Sequence, residues 1–420
     1  MISYAEALQL LRNGIVAGAP RRMTLDTAAG SVTAAEIRAR VAVPGFANAA
    51  MDGFAVHSAA TLDARTDRPV HLVIAGLVAA GQPPPAGGNT RPAAGSREVA
   101  WEIFTGAPLP AGCDAVVPIE RVLCPPSPPG EPPRVSIAAP AHPGQNVREA
   151  GQDFRAGQVV LPAGTRLGPH QLMGLAACGV DELAVRPAPR VALLVTGNEL
   201  AARGAPLLPA QIHDANGPYL RALLPALGAV LTSAEIVGDT PDALRGRLLA
   251  LADTADMVLT TGGVSAGRLD LLPAVVQAIG GEVLFHKVAI RPGKPLLHAR
   301  LPGGRLLFGL PGNPLAVAVS MRFFVIPALR ALQGLPPEIE LPAACLEPVR
   351  GRGALRFFAK ARVTVEPSAR RVVCILPGQE SFRIAPLLQA NCWAVVPEGS
   401  DEIPAGGTLL TLPLYPDDVV

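Results

Sequence analysis

The spacing of apolar residues changes character several times along the chain. Between 4 and 18 (YAEALQLLRNGIVAG), Ala7, Leu8, Leu11 and Ile15 recur at helical intervals and the run ends in Gly18. That spacing predicts a helix, and a second helical stretch is expected near 26–39. From about 68 to 147 the pattern shortens to β-type runs, VHLVIAG, VAWEIFTG and DAVVPI, separated by Gly and Pro. PPSPPGEPP at 125–133 can be neither helix nor central strand, so an exposed connection is expected there. From 190 the runs lengthen. VALLV (191–195) reads as a strand buried on both faces. A helix near 217–227 follows, then a β run at 229–237 and a helix opened by Thr240-Pro241-Asp242. MVLTT (257–261), a helix near 270–279, a strand near 282–289 and a long helix near 315–333 complete the series. Strands alternating with helices predict a parallel sheet covered on both faces. Beyond about 337 the pieces LRFFAKARVTVEP, RRVVCILPG, CWAVVPEG and GTLLTLPL predict a small all-β barrel or sandwich.

Composition narrows the class. With 420 residues, 49% hydrophobic, and 43 Gly and 45 Pro, disorder is excluded and a loop-rich globular protein of two to four domains is expected. The net charge is +2, with no Lys/Arg tract, so a nucleic-acid partner is not expected. Of the 36 basic residues only Lys287, Lys294 and Lys360 are lysines. Six cysteines stand far apart without a CxxC and read as reduced thiols. The N-terminus shows no charged segment followed by an apolar run. Leu315 to Leu329 is broken by Arg322 and Pro327 and reads as too short for a bilayer. A soluble cytoplasmic protein without membrane contact is the expectation.

In an open parallel sheet, ligands bind beyond the carboxyl ends of the strands, so the chemistry is sought there. Thr196-Gly197-Asn198-Glu199 follows the first predicted strand, and Asp214 and Asn216 open the next helix. Asp239 follows the second strand. Thr260-Thr261-Gly262-Gly263-Val264-Ser265 follows the third, with Asp270 beyond it. Arg291-Pro292-Gly293-Lys294-Pro295 and Leu310-Pro311-Gly312-Asn313-Pro314 close the set. Singly, each has a plain structural reading: a tight turn for Gly262-Gly263, helix caps for Asp214, Asp270 and Asn313-Pro314, a solvated lysine for Lys294. Jointly they offer backbone N–H groups for anionic oxygens, carboxylates for Mg²⁺, and two fixed cations. That combination points to a phosphorylated ligand with a divalent cation. GxxxxGK[ST], GxGxxG and HExxH are all absent.

The same loops carry a resemblance. TGNEL, TTGGVSAGRLD, RPGKP and GLPGNP follow PGFANAAMDGFAV (44–56), FTGAPLPAGCDAVVP (104–118) and GQDFRAGQVVLPAGTRL (151–167). In this order they closely resemble the molybdopterin molybdenumtransferase family, of the MoeA and gephyrin E-domain type, from about residue 4 to about 413. The resemblance implies a multidomain α/β plus β subunit. A discontinuous helical and linker domain (1–67 and 148–189) would hold an inserted β-rich domain (68–147). A molybdopterin-binding α/β domain (190–336) and a small C-terminal β-barrel domain (337–420) would follow. It further implies a homodimer with its site between subunits, and a Mg²⁺-dependent transferase. Its substrates would be molybdate and adenylylated molybdopterin, giving molybdenum-molybdopterin and AMP. A molybdopterin adenylyltransferase and molybdoenzymes are implied partners.

Matched by position, Asp52, Thr105, Asp153, Glu199, Asp270 and Lys294 take catalytic places. Thr196, Gly197, Asp214, Gly262, Gly263, Ser265, Arg291, Pro311, Gly312 and Ser381 take cofactor-binding ones, and Glu199, Asp239 and Asp270 the metal. Gln152, Asn198 and Arg268 depart from the family pattern and remove three negative charges from or near the metal site. Arg356-Phe357-Phe358-Ala359 lacks the family's arginine, with Lys360 next to it. These departures leave open a non-catalytic paralogue that binds molybdopterin as a scaffold or delivery protein.

Overall fold

The computed structural model describes residues 1–83, 99–127, 130–197, 199–201, 204–238, 240–262 and 271–416. Helix α1 (Tyr4–Gly14) starts with a capping box: Ser3 Oγ accepts from Glu6 N at 3.2 Å, and Glu6 Oε2 accepts from Ser3 N at 2.7 Å. The expected helix at 26–39 is absent. A single turn at Leu25–Thr27 gives way to short strands at Val32–Thr33 and Ile37–Arg38. Gly30 sits at φ 75°, which ends a right-handed helix, and the Val32–Thr33 strand pairs with Glu182–Arg186 instead. Tertiary pairing has overridden a weak helical spacing. Helix α2 (Pro169–Ala177) packs Leu175 onto Leu167, Val180 and Val185 of the same region.

A six-stranded sheet includes Val70–Val78, Val99–Ile103, Ala115–Pro118 and Arg134–Ile137. It also takes in Gly53–Val56, so the MDGFAV motif is itself a strand paired on both sides. The proline-rich stretch joins Val122–Leu123 to Arg134–Ile137 along the surface, its described residues mostly exposed.

The central sheet is built from β1 (Arg190–Thr196), β2 (Val230–Val237), β3 (Met257–Thr261), β4 (Glu282–His286), β5 (Leu297–Arg300) and β6 (Leu306–Leu310). Their spatial order is β2-β1-β3-β6-β5-β4. The first four in that order are parallel, but the sheet is mixed, because β5 runs antiparallel to both neighbours. A turn at Pro302–Gly304 makes β5 and β6 a hairpin, and Leu-Pro-Gly-Gly between two apolar runs is the sequence sign of it. Alternate side chains face opposite layers. Val191, Leu193, Leu259 and Phe308 meet α1, α3 (Asn216–Ala226) and the last helix. Ala192, Leu194, Val258 and Leu307 meet α4 (Pro241–Thr254) and α5 (Leu272–Ala278).

The last helix, α6 (Pro314–Gln333), is longer than its sequence interruptions suggest. At 20 residues it is long and apolar enough to cross a membrane, yet 78% of its most apolar window is buried inside the molecule, the mark of a core helix. A π turn at Met321–Val325 accommodates Pro327 and rolls Arg322 inward. Arg322 is 1% exposed, grips Glu338 with both terminal nitrogens (2.7 and 2.9 Å) and donates Nε to Pro413 O at 2.8 Å.

Beyond α6, the strands Arg356–Val365, Arg371–Ile375, Leu341–Cys345, Thr408–Pro413 and Cys392–Val396 follow one another around a sheet that closes on itself, since the first also pairs with the last. Ile290–Arg291 adds to this barrel alongside Arg356 and Phe357. Tyr4, Phe323 and Phe358 pack ring on ring, Phe323 and Phe358 stacked at 3.8 Å, so α1, α6 and the barrel share one core.

Candidate functional site

The chain leaves β1 for β2 on one side and then returns to β3 on the other. The crevice of the sheet therefore lies between the ends of β1 and β3. Thr196 and Gly262 meet there. Thr196 Oγ1 donates to Thr261 O at 3.0 Å, and Gly262 N donates to Leu310 O at 3.1 Å. Gly262 has φ 86°, and a side chain on it would lie 2.6 Å from Thr196 O, so the backbone turns here only because the residue is glycine. Glu199 is exposed, its carboxylate folded back 2.9 Å from where a Cβ on Gly197 would sit. The backbone of Glu199 is tied to Ile212 (Ile212 N to Glu199 O, 2.9 Å), which draws this loop toward the start of α3.

Asp214 caps α3, accepting from Gly217 N at 2.8 Å through Oδ1. Two residues on, Asn216 Nδ2 donates 2.8 Å to Gly312 O and anchors the Pro311–Pro314 loop to this helix. Asn313, in the capping position of α6, makes no side-chain cap bond. Its amide instead donates to Ser381 Oγ at 3.2 Å, while Leu315 N donates to Ser381 O at 3.3 Å. Pro311 is buried and Gly312 exposed, so the loop presents backbone to solvent. The Arg291–Pro295 loop leaves the same end of the sheet, because β4 points the same way as β6. Arg291 and Lys294 are exposed, and Val288 N donates to Lys294 O at 2.9 Å to hold the loop.

Asp52 and Thr105 form a second group on the N-terminal parts. Asp52 Oδ1 accepts from both Thr105 N and Thr105 Oγ1, each at 2.7 Å, and these two donors hold its carboxyl below the usual carboxylate range. Asp153 is exposed, its N–H bonded to Val43 O at 2.9 Å on the segment that leads into the Asp52 motif. Among the described residues no hydrogen bond joins this group to the strand-end loops.

Asp239, Gly263, Ser265 and Asp270 lie outside the described residues, as do Asn198 and Arg268. Among the described residues no three His, Cys, Asp or Glu side chains converge as a metal site. Sequence reasoning passed over the role of Lys360. It is fully buried and donates to Gly378 O at 2.6 Å and Arg383 O at 3.0 Å, the two ends of the segment that carries Ser381. The signal was a lysine inside an otherwise apolar strand, RFFAKARV, in a chain with three lysines.

Comparison with known proteins matches three stretches of the chain. Residues 2–179 match the MoeA N-terminal region (domain I and II), residues 192–331 a probable molybdopterin binding domain, and residues 342–414 the MoeA C-terminal region (domain IV). A molybdopterin molybdenumtransferase of Synechococcus elongatus is 36% identical over 417 residues, covering 97% of this chain and 98% of that protein. One from Haemophilus influenzae is 31% identical, covering 93% of each. The crystal structure of the molybdopterin biosynthesis moeA protein from Pyrococcus horikoshii superposes with a TM-score of 0.79 at 26% identity, covering 98% of this chain and 100% of that one.

Proposed function

We infer that this chain, which belongs to the molybdopterin molybdenumtransferase family, inserts molybdate into adenylylated molybdopterin and releases AMP. It is an enzyme of molybdenum cofactor biosynthesis. The observation that supports the reading is the close meeting of the ends of β1, β3 and β6 at one crevice, where Gly262 leaves backbone to meet backbone. With no side chain at Gly262, a phosphate or oxyanion can approach the backbone of this strand end closely.

The reaction breaks a phosphate anhydride, and the chain's part is positioning and charge. Arg291 and Lys294, at the same sheet end, offset the negative charge that builds on the departing AMP. The Pro311–Pro314 loop, held by Asn216 from one side and Ser381 from the other, offers a fixed surface for molybdate. Asp52, with one oxygen held by Thr105, offers its second oxygen to substrate. Exposed carboxylate oxygen at Glu199 suits Mg²⁺, with Asp239 and Asp270 as its companions. When bound, Mg²⁺ supplies charge neutralisation at the anhydride oxygens.

The two groups of residues are assigned to one site between two copies of the chain. Exposed Phe46, Met51 and Phe104 rim the Asp52 group, and exposed Leu207, Leu208, Ile212, Phe382 and Leu388 flank the strand-end loops. Matching apolar rims of this kind favour association. Six unpaired cysteines favour a reducing, cytoplasmic setting. The test is an assay with adenylylated molybdopterin, molybdate and Mg²⁺. AMP release dependent on molybdate is the expected result, and pterin binding without AMP release would overturn the reading.

A further inference from the structure

The segment 378–383 is a short loop of the barrel whose two ends come back to one point. Gly378 O and Arg383 O both accept from the ammonium of Lys360, which solvent does not reach. Gln379 adds a second clamp: its Oε1 accepts from Lys360 N at 3.0 Å, and its Nε2 donates to Lys360 O and Leu376 O at 2.9 and 2.7 Å. Within the loop, Arg383 N bonds Glu380 O at 3.1 Å and the two side chains pair at 3.2 Å. The loop is therefore held at both ends and across its middle. At its tip stands Ser381, whose hydroxyl and carbonyl are the barrel's polar contacts with Asn313 and Leu315.

Hydrogen bonds joined by short stretches of backbone thus run from Lys360 to the ends of the 378–383 loop, from Ser381 to Asn313 and Leu315, and from Gly312 to Asn216 on α3. A buried ammonium bonded to neutral carbonyls is a demanding arrangement, and a methionine would fill the same space without it. Its fixed geometry needs a reason in what the loop does.

We propose that Lys360 is a positioning residue for the transfer: by clamping both ends of the 378–383 loop, it sets Ser381 against Asn313 and so fixes the backbone that receives molybdate. The proposal rests on the assignment of the Pro311–Pro314 loop to the molybdate subsite. It separates the two substrates. Loosening Lys360 shifts the molybdate end of the site, while the strand ends at Thr196 and Gly262, which among the described residues make no hydrogen bond to the 378–383 loop, keep their hold on the pterin phosphate. Displacements of about an ångström in such a surface lower rates by one to two orders of magnitude.

The test compares wild type, Lys360→Met, Ser381→Ala and the double variant by steady-state kinetics, alongside hydrogen exchange of the peptide spanning 311–320. Lys360→Met is expected to raise KM for molybdate about 10-fold or more, with KM for adenylylated molybdopterin changed less than about 2-fold. It is also expected to speed exchange at Asn313 and Leu315, and to add little once Ser381 is alanine, because the two act in series. Lys360→Arg, which keeps the charge on a longer fork, serves if Lys360→Met does not fold. It is expected to show the same substrate-selective defect in weaker form. Unchanged exchange with an unchanged molybdate KM overturns the proposal, as does a loss shared equally by both substrates. Exchange is read without turnover. A wild-type protein that releases no AMP therefore defeats the reaction assignment alone, and an active one with unmoved exchange defeats the positioning role alone.

Discussion

One threonine donates twice to the same oxygen of Asp52 and holds its carboxyl below the usual carboxylate range. Thr105→Val keeps the backbone donor and deletes the hydroxyl, so the carboxyl should titrate at higher pH. The acidic limb of a kcat/KM profile is expected to move upward, with Asp52→Asn abolishing that limb altogether. His298 is the opposite case. It is buried in the sheet, stacked on Phe308 at 4.4 Å with its Nδ1 3.0 Å from Leu307 O, and burial pushes its pKa down to about 4. The unfolded chain takes up that proton near pH 6.5, the folded one only near 4. The neutral ring's stabilisation is therefore complete above about pH 6.5 and is lost as pH falls toward 4, by on the order of 3 kcal/mol. Urea denaturation midpoints at pH 7.5 and pH 5 measure it, and His298→Phe should flatten the dependence.

Helix α6 is held by the ion pair at its π turn. Removing one partner leaves a charge without its counterion in the core, so Arg322→Met is expected to cost about 3–5 kcal/mol. The joint replacement Arg322→Met with Glu338→Leu should restore much of that loss. Denaturation curves of the three variants decide it, and a double variant as unstable as the single one would show the pair contributing more than its removal of a stranded charge. The same helix shows what was legible in the sequence. Its apolar run, VALLV and MVLTT were plain because a continuous apolar pattern follows directly from burial on both faces. The 26–39 stretch was misread because its short strands are fixed by partners far along the chain. The β5–β6 hairpin was missed because two brief apolar runs carry little period of their own. At the site, Thr196, Gly262 and the Pro311–Pro314 loop stood at strand ends, where the alternation alone points. Lys360 was noted only as a neighbour of a missing arginine, since nothing in a single strand reveals which loop its ammonium will hold.

At the scale of the molecule, no hydrogen bond among the described residues joins the two groups within one chain, and their assignment to a shared site between subunits predicts complementation. Asp52→Ala and Lys294→Ala, each inactive alone, should regain AMP release when mixed and allowed to exchange subunits, because mixed dimers contain one unaltered site. Activity that stays at background after exchange, confirmed by tagged co-purification, would place both groups in the same subunit's site. The barrel adds a different kind of constraint. Ile290–Arg291 lies well ahead of the barrel in sequence and still completes one of its edges, while Phe323 needs Phe358 and Trp393 as neighbours. A gene cut between residues 336 and 341 would not yield two independent proteins. The upstream product would carry a bare strand edge and an uncovered aromatic face, both of which invite self-association. The barrel is thus not a removable module, and recombination that swaps it for another must also swap the two residues it borrows from the loop that carries Lys294.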